Sequence, residues 1–337
     1  MQKIRIEVID KIIKQKITNR ELNFLIYISR FQDDKGNVLG IHYRDICDYF
    51  QSFRSQYEEA RAKIMKRIRE KINKPNLVKE LTKQLQELKK EKPADFSIQT
   101  FYDVKESLAK KGIISVRQTE HGDYDITILD NDCSDIEKLN DGTIRYVNTN
   151  HRLFYSKHFF RMKANEKLLT LEFMLLTRSG QGAHTVGMDR LYEKYMDMFG
   201  LKLRAIQNYL HSLKKFFSFK LKGNNYRISA HEWITRKIKD NLESQNYKQH
   251  IGITACRREG IVKRMKQEFP KKSDSFIRGK LFRDHNFIDS VNLITQYANT
   301  YNNIGEIFLQ AVQRSMTLST EKMLHPKLIH LCIQNKL

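Results

Sequence analysis

Apolar positions recur at helical spacing in two separate stretches of the chain, and each stretch ends in a pair of short alternating segments. In the first, Thr18 and Glu21 form a capping box, and Leu22, Leu25, Ile26 and Ser29 continue one helical face to about Phe31. Asp33 to Asn37 is a turn, Val38 to Gly40 a short strand, and a second helix runs from about His42 to Phe50 with Ile46, Cys47 and Phe50 inward. Ser97 caps a third helix that turns Phe101, Val104 and Leu108 inward and ends at Gly112. Ile113 to Arg117 and Asp125 to Leu129 then pair as a hairpin across Glu120 to Asp123.

The second stretch repeats this order. Asn165 caps a helix carrying Leu168, Leu169, Leu171, Phe173, Leu175 and Leu176, which stops at Ser179 to Gly182. His184 to Val186 gives a short strand, and a helix from Asp189 through Leu191, Tyr192, Tyr195 and Met198 closes at Gly200. A third helix runs from Lys202 to about Phe216 with Ile206, Leu210 and Leu213 inward, and Phe217–Lys222 pairs with Tyr226–Ser229 across Gly223 to Asn225. Aligning Ser97 with Lys202 sets Phe101 on Ile206 and Leu108 on Leu213. Lys105, opposite Leu210, breaks the match.

The segments Ser97–Phe101 to Gly112–Ile114 and Leu201–Ile206 to Leu213 resemble the winged-helix superfamily of bacterial DNA-binding proteins. Two such units on one chain also resemble plasmid replication initiators. The expected fold is mainly α with small β-hairpins, organised as tandem winged helices with an inserted helical hairpin and a C-terminal helical domain. The likeness implies that each third helix enters a major groove, where Arg suits guanine and Asn or Gln suits adenine. The base-reading candidates are Arg204, Gln207, Asn208 and His211 in the second unit, with Gln99, Thr100 and Tyr102 in the first. Phosphate contacts fall to Lys202, Lys214, Lys215, Lys220, Lys222 and Arg227, with Lys105 in the first unit. Asp103 and Glu106 on the first unit's third helix, and Glu120 and Asp123 in its hairpin, weaken its claim on DNA and suit protein contacts.

Residues 51–95 are far more than usually join two such helices. Ile64, Ile68, Ile72, Leu77, Leu81, Leu85 and Leu88 recur at helical spacing around Asn73–Asn76, so the insertion reads as a helical hairpin with thirteen bases against seven acids. The expected domains are 1–129, an acidic linker 130–143, 144–230 and a helical domain 231–337. The last draws its core from Phe276, Leu281, Phe282, Phe287, Ile288, Val291, Leu293 and Ile294, with a further face from Ile304 to Val312.

Charge sharpens this picture. The chain has 61 Lys and Arg against 39 Asp and Glu, a formal surplus of +22 that attracts polyanions. Ten bases and one acid lie between Lys202 and Lys239, whereas eight acids and one base lie between Gln118 and Thr143. A further basic cluster runs through Arg257, Arg258, Lys263, Arg264, Lys266, Lys271 and Lys272. No long apolar run suggests a membrane span, Met1 to Asp10 lacks a signal-peptide core, and Cys47, Cys133, Cys256 and Cys332 stand singly, as in a reduced cytoplasmic protein.

Catalytic patterns are sparse. There is no phosphate-binding Gly-rich loop with a lysine, no pair of histidines flanking one apolar residue, and no calcium loop around Asp130, Asp132 and Asp135. His158 and Arg161 have the spacing of a tyrosine recombinase pair without its surroundings, and His285–Asn286 lacks companion ligands. The expectation is a non-enzymatic, cofactor-free, sequence-specific binder of double-stranded DNA, acting in replication initiation or else in transcription regulation, with a DNA strand-transfer or nicking enzyme as the distant alternative. The insertion suits either a grip on the DNA backbone or self-association, and the C-terminal helices offer a further surface for self-association.

Overall fold

The computed structural model describes residues 3–90, 96–134, 146–179, 182–237, 240–319 and 323–335. The chain is mainly helical, with small antiparallel sheets. It opens with β1 (Lys3–Arg5) and α1 (Ile6–Lys14). Then come α2 (Asn19–Ile28), a 3₁₀ turn (Ser29–Phe31), β2 (Asn37–Ile41), α3 (Tyr43–Glu70), α4 (Pro75–Lys90), α5 (Ile98–Lys110), β3 (Ile114–Gln118) and β4 (Tyr124–Ile128). Next are β5 (Tyr146–Asn148), α6 (Arg152–Tyr155), α7 (Lys157–Arg161), α8 (Ala164–Ser179), β6 (Ala183–Gly187), α9 (Met188–Phe199), α10 (Leu203–Leu213), β7 (Phe217–Lys222) and β8 (Asn225–Ala230). The rest is helical: α11 (Glu232–Thr235), α12 (Asp240–Arg258), α13 (Ile261–Glu268), α14 (Asp274–Leu281), α15 (His285–Tyr297), α16 (Ile304–Leu318) and α17 (Pro326–Ile333).

One order of elements therefore occurs twice, as α2-β2-α3-α5-β3-β4 and as α8-β6-α9-α10-β7-β8. The sheets repeat as well: β2-β4-β3 and β6-β8-β7, each with the last strand in the middle and all neighbours antiparallel. The central isoleucines Ile126 and Ile228 are both 1 % exposed, and they fix the correspondence of the two sheets. Local signals explain the element ends. Thr18 Oγ1 accepts from the backbone of Glu21 while Glu21 reaches back to Thr18, and Ser97 Oγ accepts from Thr100 N at 3.2 Å. Gly200, with φ +62, closes α9, a left-handed position that glycine takes without strain.

Several expectations need correction. The second helix of the first unit does not end near Phe50: α3 runs unbroken for 28 residues, so the first limb of the inserted hairpin is its own continuation. No glycine or proline interrupts Gln51 to Glu70. Asn165 is not a cap, because α8 begins one residue earlier and Glu166 Oε2 takes the Lys163 backbone N–H at 2.8 Å. Asp130 to Ser134, expected as linker, is anchored. Lys11 Nζ lies 2.9 Å from Asp130, and buried Asn131 accepts from Arg5 N at 2.8 Å while donating to Lys3 O and Gln32 Oε1. The remainder of that linker, from Asp135, falls outside the described residues. The short β1 pairs with β5, an interaction with no sequence signature.

The two units share one apolar core that runs from Ile4 to Ile234, instead of each burying its own. A second cluster, Ile251 to Ile333, belongs to α12–α17 and touches the first unit through Leu39. Within that bundle Phe276 and Ile288, expected in the core, are 38 % and 37 % exposed.

Candidate nucleic-acid interface

A cluster of exposed cations is built by α10 and the β7–β8 hairpin. Ile206, Leu210 and Leu213 point into the core, and Ser212 Oγ donates to Glu166 Oε1 at 2.7 Å, which fixes α10 against α8. That seating leaves Lys202, Arg204, Gln207, Asn208 and His211 exposed on the other side of the helix, all as expected from the spacing. Lys214 and Lys215 follow at its C-terminal end, where cations also suit the helix dipole. The hairpin turns through Gly223, φ +59, at the first of two loop positions, and its partners are Lys220 opposite Arg227 and Lys222 opposite Asn225. Alternation along the strands puts Lys220, Lys222 and Arg227 on one face, with Phe219, Tyr226 and Ile228 on the other. Leu221, near the hairpin tip, is 61 % exposed.

Under the helix, Tyr192 and Tyr226 meet hydroxyl to hydroxyl at 3.2 Å. Burial, and then the neighbouring phenol, push the Tyr192 hydroxyl up to about 12, so this ring is a neutral support for the cationic surface.

The first unit is differently finished. Gln99 is exposed but donates to Asp103 Oδ1 at 2.8 Å, and Tyr102 is 37 % exposed. Thr100, expected to face outward, is buried at 8 %, with its hydroxyl 3.0 Å from Ser97 Oγ. The side chain closes the helix cap instead of reaching a groove. Lys105 is half-buried, with its ammonium 3.8 Å from the Tyr124 ring centre and 5.0 Å from that of Tyr102. The aromatic cradle explains how a lysine fills a position that is apolar in the second unit; burial also lowers its pKa.

Asp123 is not a repulsive surface charge: it is wholly buried, and Arg258 of α12 lies 3.2 Å away. Arg258 also binds Asp125 at 2.7 Å, and Arg257 binds Asp45 at 2.7 Å with Arg278 as a second partner. Two members of the C-terminal basic cluster are thus structural ties between the bundle and the first unit. The bundle seals this contact with His250, which stacks on Phe31 at 4.4 Å and meets Leu39 O at 2.7 Å. Burial drives the His250 pKa down to about 4.

No known family model, curated protein or solved structure matches this chain. The other chemistry-bearing residues do not converge. Among the described residues no three His, Cys, Asp or Glu side chains are grouped to hold a metal. His158 is exposed on α7 with its ring 6.4 Å from that of Phe216, and His285 is exposed at the start of α15. No helix among the described residues is long and apolar enough to cross a membrane.

Proposed function

We propose that this chain is a non-enzymatic, sequence-specific binder of double-stranded DNA, built on two tandem winged-helix units, with the second as the principal reader. The observation that carries the reading is the exposed row of Arg204, Gln207, Asn208 and His211 on α10, flanked by Lys214, Lys215, Lys220, Lys222 and Arg227. A helix of this kind fits a major groove, and a cationic hairpin beside it suits the adjoining backbone. Arg204 and Asn208 read bases; the lysines hold phosphates.

The twice-used element order and the shared core support a tandem reader whose units keep a fixed spacing. Such a ruler suits a replication initiator that marks the origin of a plasmid or other mobile element. Gel-shift and anisotropy titrations test the binding itself. Arg204→Ala is expected to cost about 1–3 kcal/mol at the selected site and to blur selectivity there, whereas Lys222→Ala weakens all duplexes alike and lowers the salt slope by about one. Identical behaviour of the two variants on selected and random duplexes would overturn the groove-reading assignment. Mapping of bound sites tests the biological role: repeated sites beside an origin support initiation, and promoter operators replace it with transcription regulation.

A further inference from the structure

The two sheets have the same topology, and their counterpart residues can be matched by register. Aligning the central Ile126 with Ile228 brings Tyr124 onto Tyr226, Asp125 onto Arg227 and Arg117 onto Lys220. Aligning the buried Ile46 of α3 with Leu191 of α9 brings Phe50 onto Tyr195, also buried, and Asp45 onto Arg190. Of the three carboxylates that take arginines from α12 in the first unit, Asp45 and Asp125 are therefore replaced by arginines in the second, and Asp123 falls on the neutral Asn225. The sign of the surface is inverted at equivalent places.

The inversion has an energetic trace. In the first sheet the cross-strand pair is Arg117 with Asp125, opposite charges 2.8 Å apart. In the second it is Lys220 with Arg227, like charges directly opposite each other, an arrangement that costs stability unless an anion lies between them. Coverage differs in the same sense. Asp125 is 8 % exposed beneath α12, whereas Arg227 is exposed. Gly40, φ +67, makes room for Thr254 of α12, and a Cβ there would collide with that side chain. The second unit has Thr185 across from Arg227, so the close approach of a helix is denied.

We infer that the outer face of β6–β8, with Arg190 at the start of α9, is a binding site for the phosphodiester backbone, and is the cationic counterpart of the acidic surface on which the first unit docks its own C-terminal bundle. This inference rests on the DNA-binding reading and adds to it a contact, Arg190, and a track for the backbone beyond the hairpin tip. Arg190 is exposed and has no carboxylate partner among the described residues. The nearby acids are otherwise engaged: Glu172 takes Lys194, and Asp189 accepts from Asn224 Nδ2 at 3.4 Å.

The test uses the full chain, a labelled duplex selected by the wild-type protein and a random duplex, each titrated by anisotropy at several salt concentrations. Arg190→Ala weakens both duplexes by the same factor and lowers the slope of log K against log salt by about one. Arg190→Asp, which installs the first unit's residue, weakens them further. Lys220→Glu restores an opposite-charge pair, so it raises the thermal midpoint while weakening both duplexes. If both Arg190 variants keep wild-type circular dichroism, affinity and slope while Lys222→Ala still weakens binding, this inference fails alone. If the wild type binds neither duplex, the DNA-binding reading fails with it.

Discussion

Lys167 is fully buried between α2 and α8, where its ammonium donates to Asn19 Oδ1 at 2.6 Å and to Asn23 Oδ1, and lies 5.1 Å from the Phe159 ring centre. Burial drives its pKa down to about 7, and neighbouring Glu166 offsets only part of that. An unfolded lysine titrates near about 10.4, so above pH 7 the unfolded chain binds more protons than the folded one and stability rises with pH. Denaturant midpoints are expected to increase from pH 7 to 8.5, at up to about 1.4 kcal/mol per pH unit from this group. Above that window the raised thiols of Cys133 and Cys256, at about 11 and about 12, work in the opposite direction. Lys167→Met removes the rise; a wild-type midpoint that is flat over the window would refute the assignment. No residue spacing announces such a site, because Lys167 sits among the polar positions of an otherwise apolar helix and only the partner helix supplies its acceptors.

At the level of elements, periodicity read the second unit almost completely. β7 has the bounds expected, and the inward trio of α10 is buried as its spacing requires. The first unit was less legible for identifiable reasons. An unusual length of chain suggests a break between Phe50 and the arm, although nothing in Gln51 to Glu70 stops a helix. Thr100 shares the polarity of a groove-facing residue but belongs to the cap of Ser97. Strand β2 depended on a contact outside its own sequence: the left-handed Gly40 sits at a register shift between Val38 and Ile41, under Thr254. Gly40→Ala adds both backbone strain and a collision, and is expected to destabilise the chain by about 1–3 kcal/mol in urea unfolding. An alanine variant as stable as the wild type would mean that α12 does not rest on this strand.

Across the whole molecule, two arginines of the C-terminal basic cluster, Arg257 and Arg258, are spent with Arg278 on internal cohesion. Arg257, Arg258 and Arg278 tie the C-terminal bundle to Asp45, Asp123 and Asp125, and burial of these pairs is a tertiary fact that no linear pattern records. Arg258→Met strands the fully buried Asp123, with an expected loss of about 3–5 kcal/mol in thermal or denaturant unfolding. The double variant with Asp123→Leu recovers most of that loss; equal destabilisation by the single and double variants would show that the pair does not couple the two bodies. The unbroken α3 links the molecule in another way. Its first turns hold Ile46 and Phe50 in the shared core, and the same rod, about 42 Å from end to end, runs out into the arm as far as Glu70. A rod without a joint transmits torque. Whatever grips the arm near Asn73 therefore pulls directly on the packing beneath the first sheet, and the arm works as a lever whose fulcrum is the protein's own interior.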